Sequence, residues 1–222
     1  MHPKNALRLI SIGPWCVSAE AIASIGARTS AYPFDWLFSS PKMVLHTIQD
    51  KFATLLNADL YSNSPKMIQG RPNMEHMHYN SMIQTEELRR HVECNRAQFP
   101  IGPVFNHHDL RTENTYAAFK RRCSRFLEEL NNTSTPLVLV YTSAYGAIDN
   151  DMGYLRDIAQ YRPNVYVLCL VHAHISTAGK LDKPYCDERI FIGTYSSPKQ
   201  NEKVPTNQFA QIVEQLSSIL EK

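Results

Sequence analysis

The rhythm of the last third of the chain most constrains its fold. Near-continuous apolar runs at residues 137–141 and 165–171, with a further strand pattern at 189–193, alternate with segments of helical spacing at 151–160 and 208–220. A strand that is apolar on both sides must be buried on both faces, and helices between such strands are the usual crossovers of a parallel sheet. The amino end repeats the theme. Residues 7–12 read as a short buried strand, Gly13-Pro14 ends it, and residues 18–25 carry Ala19, Ile22, Ala23 and Ile25 at helical spacing, with Gly26 as the stop. The expected fold class is α/β: a mainly parallel sheet with helices on both faces, the strand at 7–12 central and beside at least one of those at 137 and 165.

The middle is less regular. Ser40-Pro41 opens a helix through about residue 56, with Met43, Val44, Ile48, Phe52 and Leu55 in helical register. Residues 57–84 are polar and weakly patterned, and long segments of this kind are often functional. A polar helix is expected over 86–98. A stronger one is expected over 116–130, with Phe119, Cys123, Phe126 and Leu130 on one face. The surrounding Lys120, Arg121, Arg122 and Arg125 read as a solvated face whose stems cover apolar surface; with Arg28 they are also candidates for phosphate or carboxylate. The expected organisation is one domain over residues 1–222, with a long irregular insertion at about 57–115.

Composition excludes several classes. A hydrophobic fraction of 43% and a charged fraction of 20% suit a globular protein with a core. A formal net charge of +2 gives no electrostatic case for nucleic acid. The longest apolar runs are too short for membrane insertion, and the 7–12 segment, broken by Arg8 and Ser11, is no signal peptide. The five cysteines, with no Cys-x-x-Cys pair, point to reduced thiols and a cytoplasmic setting. The pairs His76/His78, His107/His108 and His172/His174 lack a further ligand at diagnostic spacing, so no metal is expected. No Gly-x-Gly-x-x-Gly, Walker or Gly-x-Ser-x-Gly motif is present, and no cofactor is expected.

In parallel α/β folds ligands bind beyond the carboxyl ends of the strands. Cys16, Thr142 with Ser143, and His172 with His174 all fall there. Cys16 is the sharpest candidate, because a helix amino terminus favours thiolate, the nucleophilic form. The plainer alternative is a small buried packing residue. His107, His108 and Asp109 precede a helix: His108 is the preferred base, Asp109 its orienting group, His107 close behind and His174 the main competitor. Alternatively, Asp109 or Thr112 simply caps that helix. Trp15 and Trp36 are anchors or walls of a pocket. Asp35, flanked by large apolar groups, needs a partner if buried, with Arg28 or a backbone N–H near Gly13 available.

The string Ser11-Ile12-Gly13-Pro14-Trp15-Cys16, then Ala19, Gly26-Ala27-Arg28 and Tyr32-Pro33-Phe34-Asp35-Trp36, resembles a family of unknown function catalogued as papain-like cysteine peptidases. The resemblance continues through His107-His108-Asp109, the 119–126 helix with Arg122 and Arg125, and the strand at 137–141. It implies a Cys-His thiol mechanism, nucleophile first and histidine later. The Cys-Gly-Ser-Cys-Trp signature of papain itself is absent, and the strand–helix rhythm implies a parallel sheet instead of the papain fold. The strand–Gly-x-x-Cys–helix opening is also similar to that of capsule-biosynthesis proteins that bind coenzyme A near a cysteine. Three readings result. The first is a cysteine-nucleophile acyl-transfer enzyme acting on a small-molecule, peptide or glycan substrate, with Cys16 and Val17 N–H groups as the oxyanion site. The second is a transferase of glycan or polysaccharide biosynthesis taking a nucleotide sugar or coenzyme A. The third is a non-catalytic binding domain.

Overall fold

The computed structural model describes residues 7–63, 65–68, 70–94, 104–105, 107–146, 148–182, 188–198 and 203–221. From the amino end, β1 (Arg8–Gly13) turns into α1 (Val17–Ser24); a 3₁₀ turn at Pro33–Trp36 follows, then α2 (Pro41–Gln49). The middle carries β2 (Lys66–Ile68), β3 (Arg71–Asn73), α3 (Glu86–Cys94) and α4 (Glu113–Asn131). The last part alternates as its sequence requires: β4 (Leu137–Ser143), α5 (Met152–Ala159), β5 (Val165–His172), β6 (Lys180–Asp182), β7 (Ile190–Tyr195) and α6 (Thr206–Leu220).

The main sheet has the order β1-β4-β5-β7-β6. Its first three pairings are parallel, and β6 lies antiparallel to β7 at the edge. The fold is therefore α/β with a mainly parallel sheet. Every residue of β4 is buried, so both faces of the sheet are covered. Helix α1 packs on β1 beside α6, while α5 packs on β5 beside α2.

The position of β1 corrects one expectation. It pairs with β4 as expected, but it ends the sheet instead of occupying its centre. Its apolar character has another cause: the Pro33–Trp36 turn packs beside it, and Ser39 Oγ donates to the Ile12 carbonyl at 3.0 Å. An edge strand covered in this way is as dry as a central one. The short strand β6, Lys-Leu-Asp, has no apolar run to announce it.

Two corrections concern α2 and the insertion. Helix α2 stops at Gln49, not near residue 56, because Lys51 and Phe52 adopt φ of 54° and 65°. That reversal puts the Phe52 ring into the core, tilted 39° to Phe34 at 5.8 Å and edge-on to Phe126 at 5.6 Å. The polar-looking stretch over 57–84 also holds a core of its own. Met74, His76 and Tyr79 are wholly buried, and Tyr61 and Phe119 meet Phe105 edge-on at 5.4 and 5.6 Å. Its large residues are spaced by turns, so no period reveals them. One contiguous cluster of buried residues joins this region to the sheet. The expected helix over 86–98 is observed as far as Cys94, and its remainder lies outside the described residues. Among the described residues, no helix is long and apolar enough to cross a membrane.

The turn leaving β1 is the tightest point of the fold. Gly13 has φ of 108°, and a Cβ there would lie 1.9 Å from Ser39 Oγ. We expect Gly13→Ala to cost about 2–3 kcal/mol from backbone strain and loss of the Ser39 bond. Urea unfolding of the variant measures this, and an unchanged midpoint would refute the role given to Gly13.

A candidate active site around Cys16

The β1–α1 turn positions Cys16 through three hydroxyl groups. Ser39 N–H donates to the Pro14 carbonyl at 3.0 Å, so the Ser39 residue grips the turn by backbone as well as side chain. Ser18 Oγ donates to the Gly13 carbonyl at 2.7 Å and meets Thr142 Oγ1 at 2.7 Å. With the Gly13 carbonyl taking the Ser18 proton, Thr142 is the donor to Ser18. Cys16 then occupies the N-cap of α1, its carbonyl accepting from Glu20 N–H at 2.9 Å. The first-turn N–H groups of α1 have no intrahelical acceptor and remain available near the thiol.

A cavity of about 440 Å³ opens beside the half-buried Cys16. Glu20 and Trp36 line it from the α1 side and from the Pro33–Trp36 turn; Arg71, His107, His108 and Arg122 come from the insertion and α4. The histidine segment is held by strand-like pairing. Met74 and Phe105 exchange N–H···O bonds at 3.0 Å each way, and Phe38 N–H donates to the Val104 carbonyl at 3.0 Å. His107 has φ of 62°, and its N–H donates to the buried Asn73 Oδ1 at 3.2 Å. Thus the Tyr32–Trp36 block, β3 and the histidines are fixed to one another.

The charge state of this cavity differs from the sequence expectation. Burial, with the hydrogen-bonded Glu20 carboxylate beside it, pushes the Cys16 thiol up from 9.0 to about 12. The helix terminus does not prevail, and the resting thiol is protonated at neutral pH. Burial likewise pushes His108 down to about 4, with the Arg122 charge and His107 adding to the effect. His107 is also held low, by burial and then by Arg71. Both rings are therefore neutral at pH 7. Among the described residues, the buried His107 Nδ1 and His108 Nε2 make no hydrogen bond.

Asp109 is engaged elsewhere. Its Oδ1 accepts from Arg111 N–H and Nε at 3.0 Å each, and its Oδ2 accepts from the Arg111 guanidinium at 2.9 Å. The orienting role assigned to it from sequence adjacency is thereby replaced by a local ion pair. Nor does Thr112 cap α4 with its side chain.

The remaining candidates divide clearly. Asp35 is 2% exposed and accepts from the Arg28 guanidinium at 2.7 Å and Tyr32 N–H at 2.9 Å. Burial raises its carboxyl despite these two donors. The pair is not part of the cavity lining and braces the Trp36 turn from within. Trp15 does not line the cavity; it stacks on His91 at 4.1 Å. Thr142 supports the turn through Ser18, and Ser143 Oγ donates to buried Glu87 at 2.9 Å. Neither faces the cavity as a substrate group. His172 and His174 line a separate, open depression with Ala173, Ile175 and Ser196, so His174 is no competitor for the thiol. Sequence reading missed Glu20 and Arg71, and favoured a solvated face for Arg122 over an anion-binding role. Glu20 was readable as the i+4 neighbour of Cys16 across the first turn of α1. Arg71 carried no local signal. Among the described residues, no three His, Cys, Asp or Glu side chains group as a metal site.

Residues 7–161 match the model of the family described as Putative papain-like cysteine peptidase (DUF1796). The chain belongs to this family. No curated protein and no solved structure matches the chain. The family region contains every residue lining the Cys16 cavity, whereas β5, β6, β7 and α6 lie beyond it.

Two measurements test this description. A thiol raised to about 12 exposes little thiolate until the pH is well above 9, so Cys16 alkylation by iodoacetamide should rise later with pH than that of a free thiol. Glu20→Gln removes the adjacent negative charge and should shift the profile downward. An inflection below pH ~8.5 in the wild type, the ordinary thiol value, would contradict the assignment. Separately, Asp35→Ala leaves Arg28 and Tyr32 N–H without their acceptor and should cost roughly 2 kcal/mol in urea unfolding. An unaltered midpoint would show that the buried ion pair braces nothing.

Proposed function

We propose that the protein is a cysteine-dependent acyl-transfer enzyme of hydrolase type, with Cys16 as nucleophile and His108 as base. The observation that carries this reading is the shared cavity: a thiol at a helix N-cap and two neutral histidines with unpartnered ring nitrogens line one space. Each ring has a buried nitrogen without a partner among the described residues, and His108 is preferred over His107 because burial pushes it down to about 4 and holds its ring neutral, as a proton acceptor must be. Since thiol and imidazole are both uncharged at rest, proton transfer accompanies attack instead of preceding it.

In the first half-reaction, Cys16 Sγ bonds to the carbonyl carbon of an ester, thioester or amide. The thiol proton passes to His108, and the developing oxyanion faces the first-turn N–H groups of α1, including that of Val17. The carbon–leaving-group bond then breaks, and His108 returns its proton to the leaving group. In the second half-reaction, water attacks the thioester, a carboxylic acid leaves, and the thiol regains a proton. A small-molecule, peptide or glycan acyl compound fits this scheme, and a free thiol suits a reducing compartment such as the cytoplasm.

The test is single-turnover acylation with p-nitrophenyl acetate, followed by mass spectrometry of the Cys16 peptide. One acetyl group should appear there, and Cys16→Ala should remove it. His108→Ala should slow acylation by about 10²-fold or more, the usual contribution of a general base. If the variant lacking Cys16 releases nitrophenol at the wild-type rate, the nucleophile assignment is wrong.

A further inference from the structure

The charge surrounding the cavity is unbalanced. Arg122, half-buried on α4, and Arg71, exposed on β3, both line it, and neither guanidinium has an ion-pair or hydrogen-bond partner among the described residues. The nearby carboxylates are already used. Asp35 is buried against Arg28 and Tyr32 N–H, while Glu20 engages the Cys16 thiol and lies 3.4 Å from Lys203 Nζ. Arg125 donates to the Ala31 carbonyl at 2.7 Å, which leaves its charge unneutralised beside Arg122. Asp35 attracts Arg122 without a hydrogen bond or close ion pair to it among the described residues. A partly desolvated guanidinium with no direct partner is costly, and a planar oxyanion is the group its geometry matches best.

We propose that the cavity binds an anionic acyl substrate, its carboxylate or phosphate held by Arg122 and Arg71 and its body lying against Trp36. This rests on the acyl-transfer reading for what happens next, but the anion subsite stands on the two guanidinium groups alone. Arg71 and Arg122 come from different elements, so their convergence on one cavity is a tertiary arrangement and not one solvated helix face.

The placement also has a consequence for the base. Arg122 acts on His108 and Arg71 acts on His107, in each case against protonation. An anion seated between the two cations offsets both effects and makes the imidazoles better proton acceptors. The other titratable groups facing the cavity are Cys16 and Glu20. A substrate with the required charge would thus activate the base that attacks it, whereas an uncharged analogue would bind beside a weaker base.

The experiment uses the full chain carrying Cys16→Ser, which removes thiol acylation and isolates binding. Orthophosphate, an N-acetyl amino acid and the matching N-acetyl amino-acid amide are titrated while the His108 ring resonance is followed by NMR. Saturable binding of the phosphate or the carboxylate is expected, with the tighter of the two identifying the anion. The amide should bind about tenfold more weakly or worse, the scale of one lost charge-assisted hydrogen bond. The His108 pKa should rise on saturation. Arg122→Gln and Arg71→Gln should each weaken anion binding about tenfold by the same reasoning. Arg71 is exposed, so its variant reports on binding even if Arg122→Gln perturbs packing. No saturable anion binding, binding of the amide equal to that of the anion, or anion binding unchanged in both arginine variants overturns the proposal. Anion binding without acylation of native Cys16 would leave the subsite intact and remove the acyl-transfer reading; acylation without anion binding would do the reverse.

Discussion

Because Gly13 turns at φ of 108° with Ser39 Oγ occupying the space a Cβ would need, β1 can pass almost at once into α1. The same few atoms tie three regions together. Ser39 reaches the turn from the segment before α2, Ser18 from α1 and Thr142 from β4. Each hydroxyl satisfies a polar group that the apolar surroundings would otherwise strand. The thiol is therefore held by its backbone on all sides before any contact of its own is counted. This is preorganisation of the kind a nucleophile requires, since small displacements of a reacting atom cost large factors in rate.

Two opposing effects act on that thiol, and their magnitudes decide its state. A helix terminus stabilises a nearby anion by about 0.3–1 kcal/mol at ordinary exposure. The rise of the Cys16 thiol from 9.0 to about 12 corresponds to about 4 kcal/mol against ionisation. Burial and Glu20 therefore win in the resting protein. Such a thiol is protected from adventitious oxidation and alkylation, both of which proceed through thiolate. Reactivity then depends on what enters the cavity. A substrate that displaces water, meets the arginines and separates Glu20 from the thiol changes every term that now holds the proton in place.

The α/β class was legible because parallel strands buried on both sides leave an unmistakable mark: β4 and β5 are apolar almost throughout. Cys16 was legible from a strand, a Gly-Pro turn and a helix in succession. The Arg28–Asp35 pair followed from the impossibility of leaving a carboxylate unanswered among Phe34, Trp36 and Leu37. What remained hidden lay in tertiary placement. Nothing in the spacing of Arg71 or Arg122 distinguishes a cavity wall from a solvated surface. Asp109 looked like the partner of His108 because they are adjacent in sequence, yet Arg111 two residues on offers a bidentate guanidinium at shorter reach. The edge position of β1 was hidden too, because hydropathy reports that a strand is covered, not by what.

That edge position explains how the site is built. A central β1 would have a neighbouring strand on each side, whereas an edge β1 leaves one side to be covered by other segments. At the edge, the Pro33–Trp36 turn packs beside β1, and Leu37, Met74 and Phe105 bridge the segment after that turn to the residues following β3 and those preceding the histidines. The β1–α1 turn and α1 supply the thiol and Glu20, and the Pro33–Trp36 turn supplies the aromatic wall; the insertion and α4 supply both imidazoles and both guanidinium groups. In the proposed site, a papain-like order, cysteine first and histidine later, stands on a parallel sheet, with the histidines carried by the long insertion. A thiol at a helix terminus needs only a base and an oxyanion site for the proposed chemistry, and those demands leave the rest of the scaffold free.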